Sequence, residues 1–288
     1  MYSLFVMLLW GSLFPFVKLG FKAYDVVSVG DILLFAGIRF TICGVLISAF
    51  SFLKDKKSFS GAKYSIMPIL ASGLFAIILH YAFTYIGLKF TDSSKTAILK
   101  QLGALFYVCF SALFFKDDRI TLRKLIGVVL GFMGIIAVNI SGATFKFHIG
   151  DALIIGASFC TVFSNVISKK VFEKVNPIAS TGISQLFGGI VLLIVGYILG
   201  GSVSFRADSD ILIMVYICIA SCISYCIWFT VVKKGQLSKL FIIKFAEPVF
   251  ASLIGAYLLG ENILRPEYII GFILIAFGIY ISSTVKKQ

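Results

Sequence analysis

The chain has 288 residues, of which 59% are hydrophobic and 14% are charged, and its mean hydropathy is +1.03. A soluble globular domain is nearer half apolar and a quarter charged, so this composition excludes one and indicates a lipid bilayer as the solvent. The formal net charge of +13 does not predict a nucleic-acid partner, because the basic residues occur in small groups between apolar runs, as in the loops of membrane proteins.

Ten apolar runs of about 18–25 residues follow one another along the chain, each long enough to cross a bilayer as a helix. They do not alternate between polar and apolar residues, which favours helices over the strands of a barrel. The first run has no preceding basic residues and no small-residue cleavage site after it, so we interpret it as a retained span. The predicted spans are 2–19, 31–53, 65–88, 93–115, 121–140, 150–169, 177–199, 209–232, 238–260 and 266–284.

The distribution of basic residues predicts the orientation. Of the 26 Lys and Arg residues, sixteen fall on the side that holds both predicted termini and seven on the other side. Cytoplasmic loops are the richer in Lys and Arg, so we expect both termini in the cytoplasm. The short loops and the absence of eukaryotic sorting signals favour a multi-pass protein of a bacterial inner (plasma) membrane. The remaining three, Arg39, Lys100 and Lys244, lie within spans.

The six cysteines all lie inside apolar runs, at positions 43, 109, 160, 218, 222 and 226. Cys218, Cys222 and Cys226 recur at every fourth position and therefore share one helical face. Because no His or carboxylate accompanies them, we interpret them as small packing residues rather than metal ligands. No metal and no cofactor is expected.

An internal repeat is visible when the chain is shifted by 144 residues, which places the third to fifth spans on the eighth to tenth without a gap. The match of Lys100 with Lys244 is the most informative, because lysines inside apolar helices rarely coincide by chance. Other matched pairs are Tyr81 with Tyr225, Lys89 with Lys233, Ser94-Lys95 with Ser238-Lys239, Phe106 with Phe250, Asp117 with Glu261, Gly127 with Gly271, and Gly134 with Gly278.

The repeat divides the chain into halves at 1–143 and 144–288. Each half has five spans, an odd number, so the second half must insert into the membrane upside down relative to the first. Inverted repeats of this kind are typical of secondary transporters. No Gly-rich phosphate-binding loop followed by Lys-Ser/Thr is present, so we do not expect the chain to hydrolyse ATP.

Several short motifs resemble the drug/metabolite transporter superfamily, in its ten-helix EamA-type branch. They are Leu9-Trp10-Gly11-Ser12, Arg39-Phe40, the run Glu247-Pro248-Val249-Phe250-Ala251, Leu259-Gly260-Glu261, and the glycines Gly271 and Gly278. The resemblance covers the whole chain and makes each half an EamA-like five-helix repeat. One departure is Ala104, which stands opposite Pro248 where a proline is often found, so no proline kink is predicted in the fourth span.

The resemblance implies a central cavity lined by the first, third, fourth, sixth, eighth and ninth helices, with the fifth and tenth as a scaffold. It implies a secondary transporter that exports or exchanges small organic metabolites, such as amino acids or anionic metabolites, by alternating access through this cavity. Because the superfamily moves many classes of compound, membership alone selects neither a substrate nor an oligomeric state.

Ionisable residues within spans are costly, so they usually face a cavity or a partner. Lys100 and Lys244 each lie roughly 10 Å along the axis from their helix starts, and we interpret them as cationic posts for an anionic substrate; the alternative is a snorkelling lysine or a structural ion pair. Glu247 lies three residues after Lys244, which predicts charge compensation between them. The other interpretation is that Glu247, beside Pro248, binds a proton that couples transport to a gradient. Exchange for a counter-substrate is the alternative to proton coupling.

Further polar and aromatic residues complete the candidate site. Arg39 is expected to brace helices near the outer face, with ligand contact as the alternative. His80 is expected to be hydrogen-bonded rather than a proton relay. Trp10 is interpreted as packing or as a stacking surface for a planar substrate. The remaining candidates for the cavity lining are Gln101, Tyr81, Asn165, Tyr225 and Trp228.

Two other function classes compete with a transporter. An intramembrane enzyme acting on a lipid-linked substrate would need a dense cluster of Asp, His or Arg at one face. Asp117 and Asp118 are the nearest approach, but Lys116 and Arg119 flank them, so we interpret the pair as structural residues at a helix end. A channel would usually repeat one charged ring through oligomeric symmetry. We therefore predict a transporter, not an enzyme.

Overall fold

The computed structural model describes residues 2–88, 90, 93–139, 147–204, 208–259 and 266–283, and the regular secondary structure of these residues is helical. Short 3-10 turns at Lys56–Phe59 and Ala62–Ser65 precede the third span, and a π-helical turn at Leu74–Leu79 interrupts it. The α-helices are, in chain order, α1 (Tyr2–Ala23), α2 (Val29–Lys54), α3 (Ile66–Gly73), α4 (His80–Leu88), α5 (Ser93–Lys100), α6 (Leu102–Phe114), α7 (Leu122–Asn139), α8 (Ile149–Val171), α9 (Pro177–Ile198), α10 (Asp208–Lys234), α11 (Leu237–Ile243), α12 (Ala246–Leu259) and α13 (Pro266–Ser283).

These helices fall into ten spans, and the predicted all-α membrane fold is confirmed. The third span is α3 and α4 joined by the π-turn, the fourth is α5 with α6, and the ninth is α11 with α12. Seven described segments are long and apolar enough to cross a bilayer, while Ile98–Phe114 and Pro266–Ser282 are shorter apolar helices. The predicted ends at 140, 260 and 284, the boundary at 143/144, and the repeat positions Lys89 and Glu261 lie outside the described residues.

The second and seventh spans, which are equivalent in the repeat, pack along their whole lengths as antiparallel helices. A Cβ added at Gly37 of α2 would lie 2.5 Å from the backbone nitrogen of Leu193, and one at Gly196 of α9 would lie 2.5 Å from that of Leu34. The contacts therefore shift towards the N-terminus of α9 as they shift towards the C-terminus of α2, so the two helices are antiparallel. Glycines at every seventh residue make this close approach possible: Gly30, Gly37 and Gly44 on α2, and Gly182, Gly189 and Gly196 on α9.

The fifth and tenth spans repeat this arrangement. A Cβ added at Gly127 of α7 would lie 2.7 Å from the carbonyl oxygen of Gly278, and one at Gly134 would lie 2.7 Å from that of Gly271. Gly127 is the repeat equivalent of Gly271, and Gly134 that of Gly278, so each glycine contacts the equivalent of the other. Equivalent helices that run antiparallel require the two five-helix halves to be inverted, as the odd number of spans predicts.

Side chains cap the N-termini of α2 and α9. Asp31 accepts hydrogen bonds from the backbone nitrogens of Ser28 (2.7 Å) and of Ser202 (2.7 Å), so one carboxylate both caps α2 and holds the loop that follows α9. Asn176 caps α9 by accepting from the nitrogen of Ile178 at 2.9 Å, and Pro177 occupies the first helical position, where its missing N–H costs nothing.

Candidate functional site: a central cavity

A cavity of about 280 Å³ lies between the helices. All six spans implied by the resemblance line it, and the second span adds Arg39. α7 and α13 pack on each other and contribute no residue to the lining among the residues described. The lining contains every predicted candidate: Lys100, Lys244, Glu247, Gln101, Trp10, Arg39, His80, Tyr81, Asn165, Tyr225 and Trp228.

The two equivalent lysines both lie where a span is broken. α5 ends at Lys100 and α6 begins at Leu102; in the ninth span α11 ends at Ile243, and the chain turns at Lys244 before α12 begins. The fourth span therefore breaks even though it contains no proline. At each break a hydrogen bond reaches back only three residues, from Gln101 N to the carbonyl of Ile98 (3.1 Å) and from Glu247 N to that of Lys244 (3.0 Å).

The ion pair predicted between Lys244 and Glu247 is not formed: among the described residues no carboxylate oxygen lies within 4.0 Å of either Lys100 or Lys244. The three-residue spacing places two side chains on one face only in a continuous helix, and the helix is broken between them. Glu247 is nevertheless close enough to interact electrostatically with both lysines.

Aromatic rings hold the lysines instead. The ammonium nitrogen of Lys100 lies 5.4 Å from the ring centre of Phe14, and that of Lys244 lies 5.4 Å from Trp10 and 5.8 Å from Trp228. A cation over an aromatic face is stabilised by about 0.5–2 kcal/mol, and unlike a carboxylate the ring leaves the positive charge unneutralised.

Asn165 serves to orient one of these rings. Its side-chain oxygen accepts a hydrogen bond from the indole nitrogen of Trp228 at 2.8 Å, and its amide nitrogen donates to the carbonyl of Thr161 at 2.8 Å. Trp228 is 1% exposed and its ring centre lies 5.0 Å from that of Trp10. The two indoles thus pack on each other beside Lys244, and Asn165 acts on the site through Trp228.

Arg39 occupies the centre of a second aromatic group. Its Nε and Nη2 donate to the hydroxyl of Ser221 on α10 at 3.1 and 2.9 Å, and its guanidinium carbon lies 4.8 Å from the ring centre of Phe40. The ring of Phe40 in turn lies 4.7 Å from that of Tyr81 and 6.2 Å from that of Tyr225, which are equivalent in the repeat. The bond to Ser221 joins α2 to α10, and the guanidinium also faces the cavity.

His80 is hydrogen-bonded, as expected of a single histidine in an apolar helix. Its Nδ1 lies 3.0 Å from the carbonyl oxygen of Ala157 and 3.1 Å from the hydroxyl of Thr161, both on α8. A carbonyl oxygen can only accept, so Nδ1 is the protonated nitrogen of the ring and Nε2 of the neutral form is an acceptor.

Sequence reasoning missed part of the lining. The hydroxyl residues Thr84, Ser158, Thr161 and Ser164, together with Phe14, Tyr85 and Phe241, all face the cavity. Small hydroxyls carry a weak signal in apolar helices because they can bond to the carbonyl one turn earlier, as Ser158 does to Ile155 at 2.8 Å. Nothing in the sequence distinguishes Phe14 and Phe241 as lining residues, since the residues around them are also apolar.

Among the described residues, the cavity lining extends further towards one end of the bundle than towards the other. It extends along the second half of α1 to the exposed Lys18, and we call the end where α1 finishes and α2 begins the open end. Towards the other end its lining includes Phe241, which is 2% exposed. Beyond Phe241 lies a polar cluster that we call the Asp118 clasp: Asp118, Tyr107, Lys124 and Ser238, with Asp117, Lys169, Gly235 and Gln236 beside them.

At this closed end the Asp118 clasp joins the segment between α6 and α7, the start of α11 and the end of α8. Asp118 pairs with Lys124 at 2.8 Å and accepts from Tyr107 at 3.1 Å and from the backbone nitrogen and hydroxyl of Ser238 at the start of α11. Beside it Lys169 at the end of α8 donates to the carbonyl of Gly235 at 2.9 Å. The structural interpretation of the acidic pair therefore agrees with its contacts.

Comparison with known proteins gives one family. The EamA-like transporter family matches residues 1–140 and again residues 148–284. A transporter of Archaeoglobus fulgidus, named as uncharacterized, is 25% identical over 292 residues, covering 98% of this chain and 96% of its own. The Escherichia coli K12 inner membrane transporter YedA, also named as uncharacterized, is 26% identical, with 93% of this chain and 86% of its own covered.

A solved crystal structure shows the same fold. The two chains superpose with a TM-score of 0.77 at 20% identity, covering 98% of this chain and 96% of the other. At that identity the similarity extends to the fold alone.

Proposed function

Since the chain belongs to the EamA-like transporter family and is therefore a membrane transporter, we propose that it is a secondary transporter of small organic anions, working by alternating access. Candidate compounds are amino acids, which carry a carboxylate, or anionic metabolites. The observation that carries the proposal is the pair of lysines, Lys100 and Lys244: they are equivalent in the repeat, lie at helix breaks, and face one cavity with no carboxylate in contact among the described residues.

Broken helices at the centre of inverted repeats are where secondary transporters commonly bind their cargo, because the ends of half-helices present unpaired backbone groups and change angle easily. Here the break in each half carries one lysine. When the halves 1–143 and 144–288 exchange conformations, each lysine takes up the surroundings that the other had. An anion bound between them keeps a cationic partner in both states.

We propose an orientation with both termini in the cytoplasm of the inner (plasma) membrane. The excess of basic residues on that side supports it, as does the inner membrane named for YedA. The open end then faces outwards and the Asp118 clasp closes the cytoplasmic side. This is one of the two states that alternating access requires, and the inverted repeat supplies the other by exchange of the halves.

We propose exchange for a counter-substrate as the driving force, because an empty cavity would have to enclose unneutralised lysines during its return. Proton coupling through Glu247 is the alternative. Export or uptake driven by exchange accelerates when liposomes are preloaded with cargo and is insensitive to a pH gradient. Proton coupling gives the opposite pair of results, and Glu247→Gln then removes the response to the gradient.

The test of the anion site is thermal stabilisation of the purified protein against amino acids, nucleotide sugars, organic phosphates and cationic drugs. We expect anionic compounds to raise the unfolding temperature of the wild type and not of Lys100→Ala or Lys244→Ala. Lys63→Ala is the matched control, since Lys63 also lies over an aromatic ring, at 4.7 Å from Tyr64, but on the exposed surface. Stabilisation by cationic compounds alone, or equal responses in all variants, would contradict the proposal.

A further inference from the structure

The cavity carries more positive charge than one carboxylate can balance. Its inner lining holds three cations, Arg39, Lys100 and Lys244, and one carboxylate, Glu247, so two positive charges are in excess. Charges within a membrane are normally paired, so an excess that faces a cavity indicates a partner that comes and goes.

All three inner cations share one mode of support. Arg39 lies over Phe40, Lys100 over Phe14, and Lys244 over two indoles, and no carboxylate oxygen among the described residues is within 4.0 Å of any of them. The rings hold the side chains in place without neutralising them. A bound anion therefore meets cations that are already positioned and need not be released from an acidic partner.

The guanidinium of Arg39 has one edge in contact with Ser221. Its Nε and Nη2 both donate to Ser221, whose own hydroxyl proton goes to the carbonyl of Ile217 at 2.5 Å, so the oxygen is fixed as an acceptor for the guanidinium. That contact uses one edge of the planar group. The other edge, formed by Nη1 and Nη2, retains N–H donors in the parallel arrangement that a carboxylate accepts with both oxygens.

We propose that the cargo is an organic dianion with two separate acidic groups, of which one is bound by Lys100 and Lys244 and the other by the free edge of Arg39. This rests on the proposed anion transport and adds to it the number of charges and the second subsite. The two excess positive charges are then neutralised by the cargo. Dicarboxylates are the simplest compounds of this class.

The experiment compares three series of equal shape and different charge: succinate, glutarate and adipate, each against its mono-amide and its diamide, by thermal stabilisation and by binding to the purified protein. We expect at least one dicarboxylate to bind about tenfold or more tightly than its mono-amide, since a hydrogen-bonded charge contact contributes that much. The three lengths allow for the distance between the subsites.

Two variants of Arg39 separate its charge from its geometry. Arg39→Gln should reduce the preference for dicarboxylate over mono-amide to about twofold or less, and Arg39→Lys should keep the preference while weakening both affinities. Arg119→Gln is the matched control, because Arg119 is exposed and lies outside the cavity. Arg39→Lys also keeps the test valid if Arg39→Gln fails to fold.

The possible outcomes are distinct. If mono-amides bind as tightly as dicarboxylates and binding still requires Lys100 and Lys244, the dianion inference is wrong while the proposed anion transport stands. The dianion inference is also wrong if only phosphate monoesters such as glycerol 3-phosphate bind and Arg39→Gln leaves them unaffected, since both charges then occupy one subsite. If no anion binds in any lysine-dependent way, both proposals are wrong.

Discussion

The Asp118 clasp and the cavity both contain lysines, a carboxylate and aromatic rings, but a carboxylate pairs with the lysine only in the clasp. In the clasp Lys124 lies 2.8 Å from Asp118, and both side chains are almost fully buried. The carboxylate accepts hydrogen bonds from Tyr107, from Lys124, and from both the backbone nitrogen and the hydroxyl of Ser238. In the cavity, Lys100 and Lys244 lie over rings with no carboxylate in contact among the described residues.

The difference distinguishes structural charge from functional charge. A buried charge whose partners are complete within the protein stabilises one conformation, because removing either partner leaves the other unpaired. A charge held only by aromatic rings is positioned but still lacks a counter-ion, so an external anion can supply it. The clasp accordingly closes one end of the bundle, and the cavity is the place where cargo completes the charge balance.

The largest expected effect comes from breaking the clasp. Asp118→Asn leaves the buried Lys124 without its counter-charge, and we expect the free energy of unfolding to fall by about 3–5 kcal/mol. Thermal unfolding of the purified protein measures this loss. In the double variant Asp118→Asn, Lys124→Met, which removes both charges, most of the loss should be recovered; a double variant as unstable as the single one would contradict a role for the ion pair.

A smaller effect is expected when acid titrates the same carboxylate. Burial alone would raise the pKa of Asp118, but hydrogen bonds from Lys124 and Ser238 outweigh it, and the pKa lies below its ordinary value of 3.8. A lowered pKa in the folded state stabilises the fold above the pKa of the unfolded chain, and this stabilisation is lost as the pH falls through the folded value.

Unfolding temperatures of the wild type and Asp118→Asn should therefore differ by a constant amount from neutral pH down to about 5, and converge below about 4. Both proteins are measured in the same detergent and at the same ionic strength. A difference that grows on acidification would show that the Asp118 carboxylate is not the group whose ionisation stabilises the clasp.

The clasp also shows which parts of the molecule the sequence predicts. Ten spans are predictable because apolar length and basic loops are local properties, and the inversion follows from an odd number of spans per half. The cavity residues are predictable because an ionisable group in a membrane must face a partner or a cavity. The contact of Asp118 with Ser238, 120 residues away, depends on how the spans pack, and nothing local to Asp118 indicates it.

One local prediction failed because a helix is broken. The spacing of Lys244 and Glu247 predicts an ion pair only in an unbroken helix, and α11 ends at Ile243. Ala104 in place of a proline predicts no proline kink in the fourth span, and the break there, three residues earlier at Gln101, forms without a proline. In the ninth span Pro248 has no N–H to donate to the carbonyl of Lys244, which accounts for the break there, whereas the fourth span breaks with no proline near Gln101.

An intermediate effect is expected at Asn165, which lies between the two kinds of region: it is structural in its contacts and acts on the cavity. Asn165→Ala leaves the buried indole N–H of Trp228 without its acceptor, and we expect a loss of about 1–3 kcal/mol in unfolding free energy together with weaker cargo binding. In a Trp228→Phe background, where no N–H remains, the same substitution should cost clearly less. Equal costs in both backgrounds would show that Asn165 does not act through Trp228.

The smallest expected change in stability is the most direct test of the comparison. Lys244→Met keeps the length of the side chain and removes a charge that has no carboxylate in contact among the described residues, so we expect the unfolding free energy to change by less than about 1 kcal/mol or to rise, while transport is lost. Lys124→Met is the matched control: the substitution is identical, but it removes the partner of Asp118 and should destabilise the protein by several times as much. If the two variants lose equal stability, Lys244 is a structural cation like Lys124, and the distinction between the clasp and the cavity fails. If Lys244→Met alone remains stable and inactive, the lysine is present for the cargo, because a charge that contributes nothing to the fold and is still needed for transport has its partner outside the chain.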